Sequence, residues 1–156
     1  MSDLLLHEDR LDCTPVARSV RLARTRTARL VAEWRHPELA GDAALVVSEL
    51  MTNALLHGSI RGRLIRVRLT ATAATLRVEV SDPRGERVPC PREVTGDDQF
   101  GRGLLLVGAL AERWGVGPRE GVGKTVWAEW GLAVVPWGAV PAVGSGSGGS
   151  GGRGGR

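Results

Sequence analysis

Between Gly58 and Ile65 the hydrophobic period of the chain changes, and that change restricts the fold more than any other feature. Upstream, Val16, Val20, Ala23, Thr27, Leu30, Val31 and Trp34 recur at spacings of three and four. This predicts an amphipathic helix over 15–35, with Thr14 as its cap and Pro15 in its first turn. His36-Pro37-Glu38 breaks it, and a second helix is expected over 39–57 with Gly58 as its stop. Downstream, Ile65, Val67 and Leu69 alternate with Arg66, Arg68 and Thr70. After a turn at 71–74, Leu76, Val78 and Val80 alternate with Arg77, Glu79 and Ser81. Period two with one apolar face predicts two antiparallel strands that need cover on that face. Helices followed by such strands predict an α+β fold, a two-layer α/β sandwich with helices on one face of a mostly antiparallel mixed sheet.

Asp82-Pro83-Arg84-Gly85 ends the second strand, because proline cannot continue a ladder and glycine permits a tight turn. Residues 86–100 carry no periodicity, the pattern of a lid or a disordered loop. Phe100-Gly101-Arg102-Gly103 then leads into an apolar helix expected over 103–113, and Trp114–Gly117 with Val122–Trp130 reads as a final hairpin. Residues 144–156 are Gly/Ser with two arginines and have no means of building a core. The organisation expected is therefore an N-terminal segment 1–13, one domain over 14–131, and a Pro/Gly/Ser-rich disordered tail over 132–156.

A chain of 156 residues with 42% hydrophobic and 24% charged residues is large enough for one core without staples. Its charge of +4 is weak evidence for nucleic acid: of 21 basic residues Lys124 is the only lysine, and an arginine skew beside 22 glycines is also the mark of GC-rich coding. Arg18, Arg21, Arg24, Arg26 and Arg29 lie opposite the apolar face of the first helix, which suits a solvated face and a docking surface equally. Cys13 and Cys90 have no CxxC spacing, so neither a metal site nor a disulfide framework is indicated. The N-terminus is wrongly flanked for a signal peptide, and the later apolar run at 132–143 is broken by Pro136 and Pro141. A soluble, cytoplasmic protein is expected.

Chemistry concentrates in Ser48–Gly58. Glu49, Asn53 and His57 are four apart and line one face of a helix whose neighbours Leu45, Val46, Leu50, Ala54 and Leu55 are apolar. A carboxylate and an amide one turn apart can hold a hydrated divalent cation and a nucleophile together. The glycines before the third helix offer backbone N–H groups to an anion, or simply let the chain turn. Two phosphate motifs fail. Gly123-Lys124-Thr125 ends like a Walker A loop, but the required first glycine falls at Pro118 and the segment enters a strand; Gly101-Arg102-Gly103 lacks the third glycine of a dinucleotide fingerprint at Leu106. His57 has no partner at metal spacing, and no serine or cysteine nucleophile stands out.

Taken in order, the helix with Glu49 and Asn53, the strand ending at Asp82, the long loop, Gly101-Arg102-Gly103 before an apolar helix and Thr125 on a last strand resemble the Bergerat-fold (GHKL) ATP-binding domains. Within them the resemblance is to the anti-sigma-factor serine/threonine kinases, and it covers about residues 14–130. It implies ATP and Mg²⁺ as cofactors. Asn53 matches the N-box asparagine that ligates Mg²⁺, and Glu49 the acid that serves as general base. Asp82 matches the adenine-selecting aspartate of the G1 box, with Gly85 the one glycine of that box; its usual glycines fall on Arg84 and Glu86. Gly101 and Gly103 match the G2 box whose amides hold phosphates, Arg102 is a charge partner for them, and Thr125 matches the threonine near adenine. The implied activity is phosphorylation of a serine or threonine on an anti-anti-sigma (STAS-type) protein, with a sigma factor as a further partner; a homodimer is compatible and no membrane is implied. The rival reading is a catalytically silent ATP-gated binding module. Nucleic-acid binding is disfavoured for want of a base-reading module.

Overall fold

The computed structural model describes residues 4–84, 99–119 and 121–133, with 99–102 as backbone only. Its elements run β1 (His7–Cys13), α1 (Ala17–Glu33), α2 (Pro37–Asn53) with a π-helical turn Ala54–Gly58, β2 (Ile65–Ala71), β3 (Thr75–Asp82), α3 (Gln99–Leu110), β4 (Arg113–Pro118) and β5 (Lys124–Gly131). The strands form one sheet in the order β1-β2-β3-β5-β4. All four pairings are antiparallel, so the mixed sheet expected from the sequence is antiparallel throughout. The architecture is the predicted α+β one.

Alternation along the strands builds the core. Ile65, Val67 and Leu69 of β2, Leu76, Val78 and Val80 of β3, and Val126, Ala128 and Trp130 of β5 are buried together with Val46, Val47, Leu50 and Met51 of α2 and Leu104 and Val107 of α3. Each large side chain so removed from water contributes roughly 1.5–3 kcal/mol. Helix α2 with its π turn is the one described helix long and apolar enough to cross a membrane. Its buried face packs in the core against α1 and the sheet, which accounts for its hydropathy.

Two local expectations are corrected. Thr14 does not cap α1 through its side chain. The N-cap is Val16, without a side-chain bond, and Ser19 Oγ instead donates back to the Thr14 carbonyl at 2.7 Å. Residues 7–13, set apart from the domain on sequence, form an edge strand of the sheet. Charge rather than apolar alternation holds it: Arg68 bonds Glu8, Arg66 bonds Asp12, and Arg26 of α1 makes a two-pronged contact with Asp9. The Arg68 hydrogen bond holds the Glu8 carboxyl below its ordinary range, and Arg66 does the same for Asp12. The outer face of the sheet continues the pattern. A ladder of ion pairs runs Glu8–Arg68–Glu79–Arg77–Glu129–Arg113 across all five strands, with Arg77 lying over the Trp127 ring at 4.5 Å. Arg68, Arg77 and Arg113 thus pair with acids along the sheet's solvent face. The tail from residue 134 onward and Cys90 lie outside the described residues, while Cys13 is a free, buried thiol whose pKa burial raises.

Candidate functional site

Helix α2 supplies two functional candidates and its π turn positions a third. Glu49 and Asn53 sit one turn apart and are half-buried. Glu49 has no hydrogen bond or ion pair among the described residues, although the chain is rich in arginine. Asn53 Nδ2 is buried with no hydrogen-bond partner among the described residues. Both side chains meet α3 at Gly103. A Cβ built there would lie 2.9 Å from Glu49 Oε2 and 3.4 Å from both Asn53 Nδ2 and Oδ1. A glycine is therefore what lets the acid and the amide approach the second helix this closely.

That contact revises the part given to Gly101 and Gly103. Helix α3 starts at Gln99, not at 103, so both glycines lie inside it. Gly103 is in the second turn, where a helix's own ladder takes up backbone N–H groups. It contributes space rather than an amide. Gly101 and Arg102 lie in the first turn, where free N–H groups and the positive helix end are found. Gly85 lies outside the described residues.

After Asn53 the helix widens into the π turn, a geometry that concentrates at functional sites, and ends at Gly58 against Asp82. A Cβ on Gly58 would fall 2.4 Å from Asp82 Cγ and Oδ2. Asp82 is 3% exposed and is the last residue of β3, on its helix-covered face, continuing the buried series Leu76, Val78 and Val80. Its Oδ1 accepts the Arg84 backbone N–H at 2.9 Å and Lys124 Nζ at 3.0 Å, and the same Nζ donates to the Arg84 carbonyl at 2.7 Å. Gly123, at φ +131°, allows this junction; a Cβ there would lie 2.0 Å from the Asp82 carbonyl oxygen. Since the Asp82 carboxylate is held by Lys124 and Arg84, it cannot give way to a methyl group. Gly58→Ala is expected to destabilise the protein by about 1–3 kcal/mol. A urea-unfolding midpoint equal to the parent's would show that the carboxylate is not held.

Thr125 is not brought to this pocket. Asp82 pairs with Lys124 and Ser81 with Thr125, so Thr125 faces the outer side of the sheet, where its hydroxyl meets that of Ser81 at 2.7 Å. It borders a depression of about 310 Å³ on that face, with Arg77 and Trp127. The residue beside Asp82 is Lys124, which sequence reasoning passed over as part of a failed phosphate motif. The signal that could have found it is the strand register: with Val80 opposite Val126, Asp82 must face Lys124. His57, third in the polar line, lies in the π turn, whose wider step takes it off the i, i+4 row of Glu49 and Asn53.

Among the described residues no group of three or more His, Cys, Asp and Glu could hold a metal alone. Glu49 and Asn53 fit a hard cation only if a ligand brings further oxygens, as a metal–polyphosphate does. Asn53 Oδ1 and the Glu49 carboxylate are the oxygens available on this side, and the orphaned Asn53 Nδ2 is a donor that an oxygen of such a ligand, not the cation, would satisfy. The described residues form a two-layer α+β domain in which a helix-borne acid–amide pair faces a second helix and a buried aspartate ends a central strand. Residues 13–130 match the family model described as the histidine kinase-like ATPase domain, and the chain belongs to that family of ATP-binding domains. No curated protein matches the chain.

Proposed function

We propose that the protein is a Mg²⁺- and ATP-dependent serine/threonine protein kinase that phosphorylates an anti-anti-sigma (STAS-type) partner in the cytoplasm and so regulates a sigma factor. The observation that carries the reading is the Glu49 carboxylate, without a partner among the described residues and one turn from an amide whose nitrogen is buried and unsatisfied. A structural acid in an arginine-rich chain would be expected to have a cation beside it. A general base needs the opposite: an ionised carboxylate with accepting capacity left for a hydroxyl proton. Bound Mg²⁺-ATP supplies the phosphoryl group and the charge neutralisation. Asn53 would hold the metal through Oδ1, Glu49 would take the hydroxyl proton of the partner as ADP leaves, the first turn of α3 would offer N–H groups to the phosphates, and Asp82 would accept from the base.

A second reading has its own observation. Because Lys124 already bonds the Asp82 carboxylate, the domain also suits a silent module that takes up nucleotide only to present a partner surface. One experiment separates the two. The purified chain is titrated with ATP with and without Mg²⁺, then incubated with γ-labelled ATP and a STAS-type protein. Mg²⁺-dependent binding with label on a partner serine or threonine is the kinase result. Binding without transfer is the module result, and absence of nucleotide binding removes both.

A further inference from the structure

The depression on the outer face of the sheet follows from strand register. One row of paired residues crosses that face as Asp12, Arg66, Ser81, Thr125 and Gly117. The two hydroxyl side chains are short and Gly117 has none; a Cβ built there would meet nothing within 4 Å. The neighbouring row is Arg10, Arg68, Glu79 and Trp127, all longer. The short residues therefore form the floor and the long ones a wall of a hollow of about 310 Å³. That volume lies at the small end of ligand pockets, roughly 300–1,000 Å³.

Its chemistry is cationic. Arg10, Arg66, Arg68, Arg77 and Arg119 line it against one carboxylate, Glu79. The acids are shared: Glu8 serves Arg10 and Arg68, Glu79 serves Arg68 and Arg77, and Glu129 serves Arg77 and Arg113. Arg119 has no ion pair among the described residues and makes one long bond, 3.4 Å, to the Leu64 carbonyl. A guanidinium carries five N–H donors, and Arg10 and Arg119 each engage a single nitrogen among the described residues. On the floor, the Ser81 and Thr125 hydroxyls share one hydrogen at 2.7 Å, which leaves the second for an acceptor. A ladder that merely solvates the sheet needs neither spare donors nor a hollow.

We propose that this depression is a binding site for a small polyanion bearing phosphate or carboxylate groups, held by the arginines over the Ser81 and Thr125 hydroxyls. Planar guanidinium forks match both groups. The site is independent of the ATP reading, because Ser81 and Thr125 face away from Asp82 and Lys124, their neighbours along β3 and β5.

The full chain is titrated at low ionic strength in EDTA with pyrophosphate and, separately, with citrate. The reporter is the indole N–H resonance of Trp127, assigned by its loss in Trp127→Phe. A saturable shift with a Kd of about 1 mM or below is expected. Arg119→Gln should weaken it by about tenfold or more, the scale of a hydrogen bond to a charged group. Gly117→Val, which puts a side chain into the open floor, should weaken it at least as much. Neither variant removes an ion pair among the described residues or meets a packed atom at the new Cβ, so both are expected to fold like the parent. Tighter binding of pyrophosphate supports a phosphate-bearing ligand, and tighter binding of citrate a carboxylate one. No shift by either anion up to about 10 mM overturns the site. So does a shift that Gly117→Val leaves unchanged, because attraction of anions to a basic face requires charge but no hollow. Should one variant fail to fold, the other decides.

Discussion

Replacing Glu49 by glutamine is expected to slow phosphate transfer to the partner by about 10²- to 10⁴-fold, the span a positioned general base supplies, while Mg²⁺-ATP affinity stays within about threefold of the parent's. Glutamine keeps the volume of the side chain and its contact with Gly103, where Oε2 lies 2.9 Å from a built Cβ. It replaces a charged, acceptor-only carboxylate by a neutral amide that cannot act as a base. No ion pair is lost among the described residues, so the unfolding midpoint should move by less than about 0.5 kcal/mol in free energy. Single-turnover transfer of label, together with a binding titration, separates the two effects. Transfer at the parent's rate in Glu49→Gln would remove Glu49 from the chemistry; loss of ATP binding would make it a ligand-holding group instead.

How far the sequence could be read follows from which forces are local. The buried series Ile65-Val67-Leu69 and Leu76-Val78-Val80 announce their strands because burial on one face imposes period two on the chain itself. Strand β1 escapes the same test. In His7–Cys13 only Cys13 is buried, and the strand is held by Glu8, Asp9 and Asp12 pairing with arginines far away in sequence. No periodicity records such bonds. Glu49 and Asn53 could be paired on a helix from their spacing, but their meeting with Gly103 spans fifty residues and depends on how α3 lies on α2. Helix α3 begins at Gln99, four residues before the expected start, so the low helix propensity of Gly101 and Gly103 does not set its boundary.

Which residue lies beside Asp82 follows from strand register. A slip of one residue moves every side chain of a strand to the other face, and the alternation of β5 alone does not say which residue lies opposite Asp82. Thr125 was the natural candidate as a small hydroxyl in the matching motif. Pairing Val80 with Val126 instead puts Lys124 beside Asp82 and sends Thr125 to Ser81 on the outer face. Lysine at 124 was legible as an oddity, the single lysine among 21 basic residues, and its meaning required the sheet.

Asn53→Ala is expected to act on stability and on binding with opposite signs. The Asn53 Nδ2 donor is buried and has no partner among the described residues, and a donor left in that state costs about 1–3 kcal/mol. Alanine removes the orphan and improves helix propensity at the last position of α2, against the loss of modest packing next to Gly103. The balance predicts a variant as stable as the parent or more so, by up to about 1 kcal/mol. Mg²⁺-dependent ATP affinity should fall by about 10- to 100-fold or more, the scale set by losing a group that holds or orients a metal ligand, while the weaker metal-free binding changes little. A side chain retained at a cost to stability points to a ligand as its missing partner. Thermal unfolding and calorimetric titration with Mg²⁺ or with EDTA give both numbers on the same sample. Destabilisation by more than about 1 kcal/mol with unchanged Mg²⁺-ATP affinity would instead make Asn53 a structural residue, and would leave Glu49 without the metal that its proposed chemistry requires.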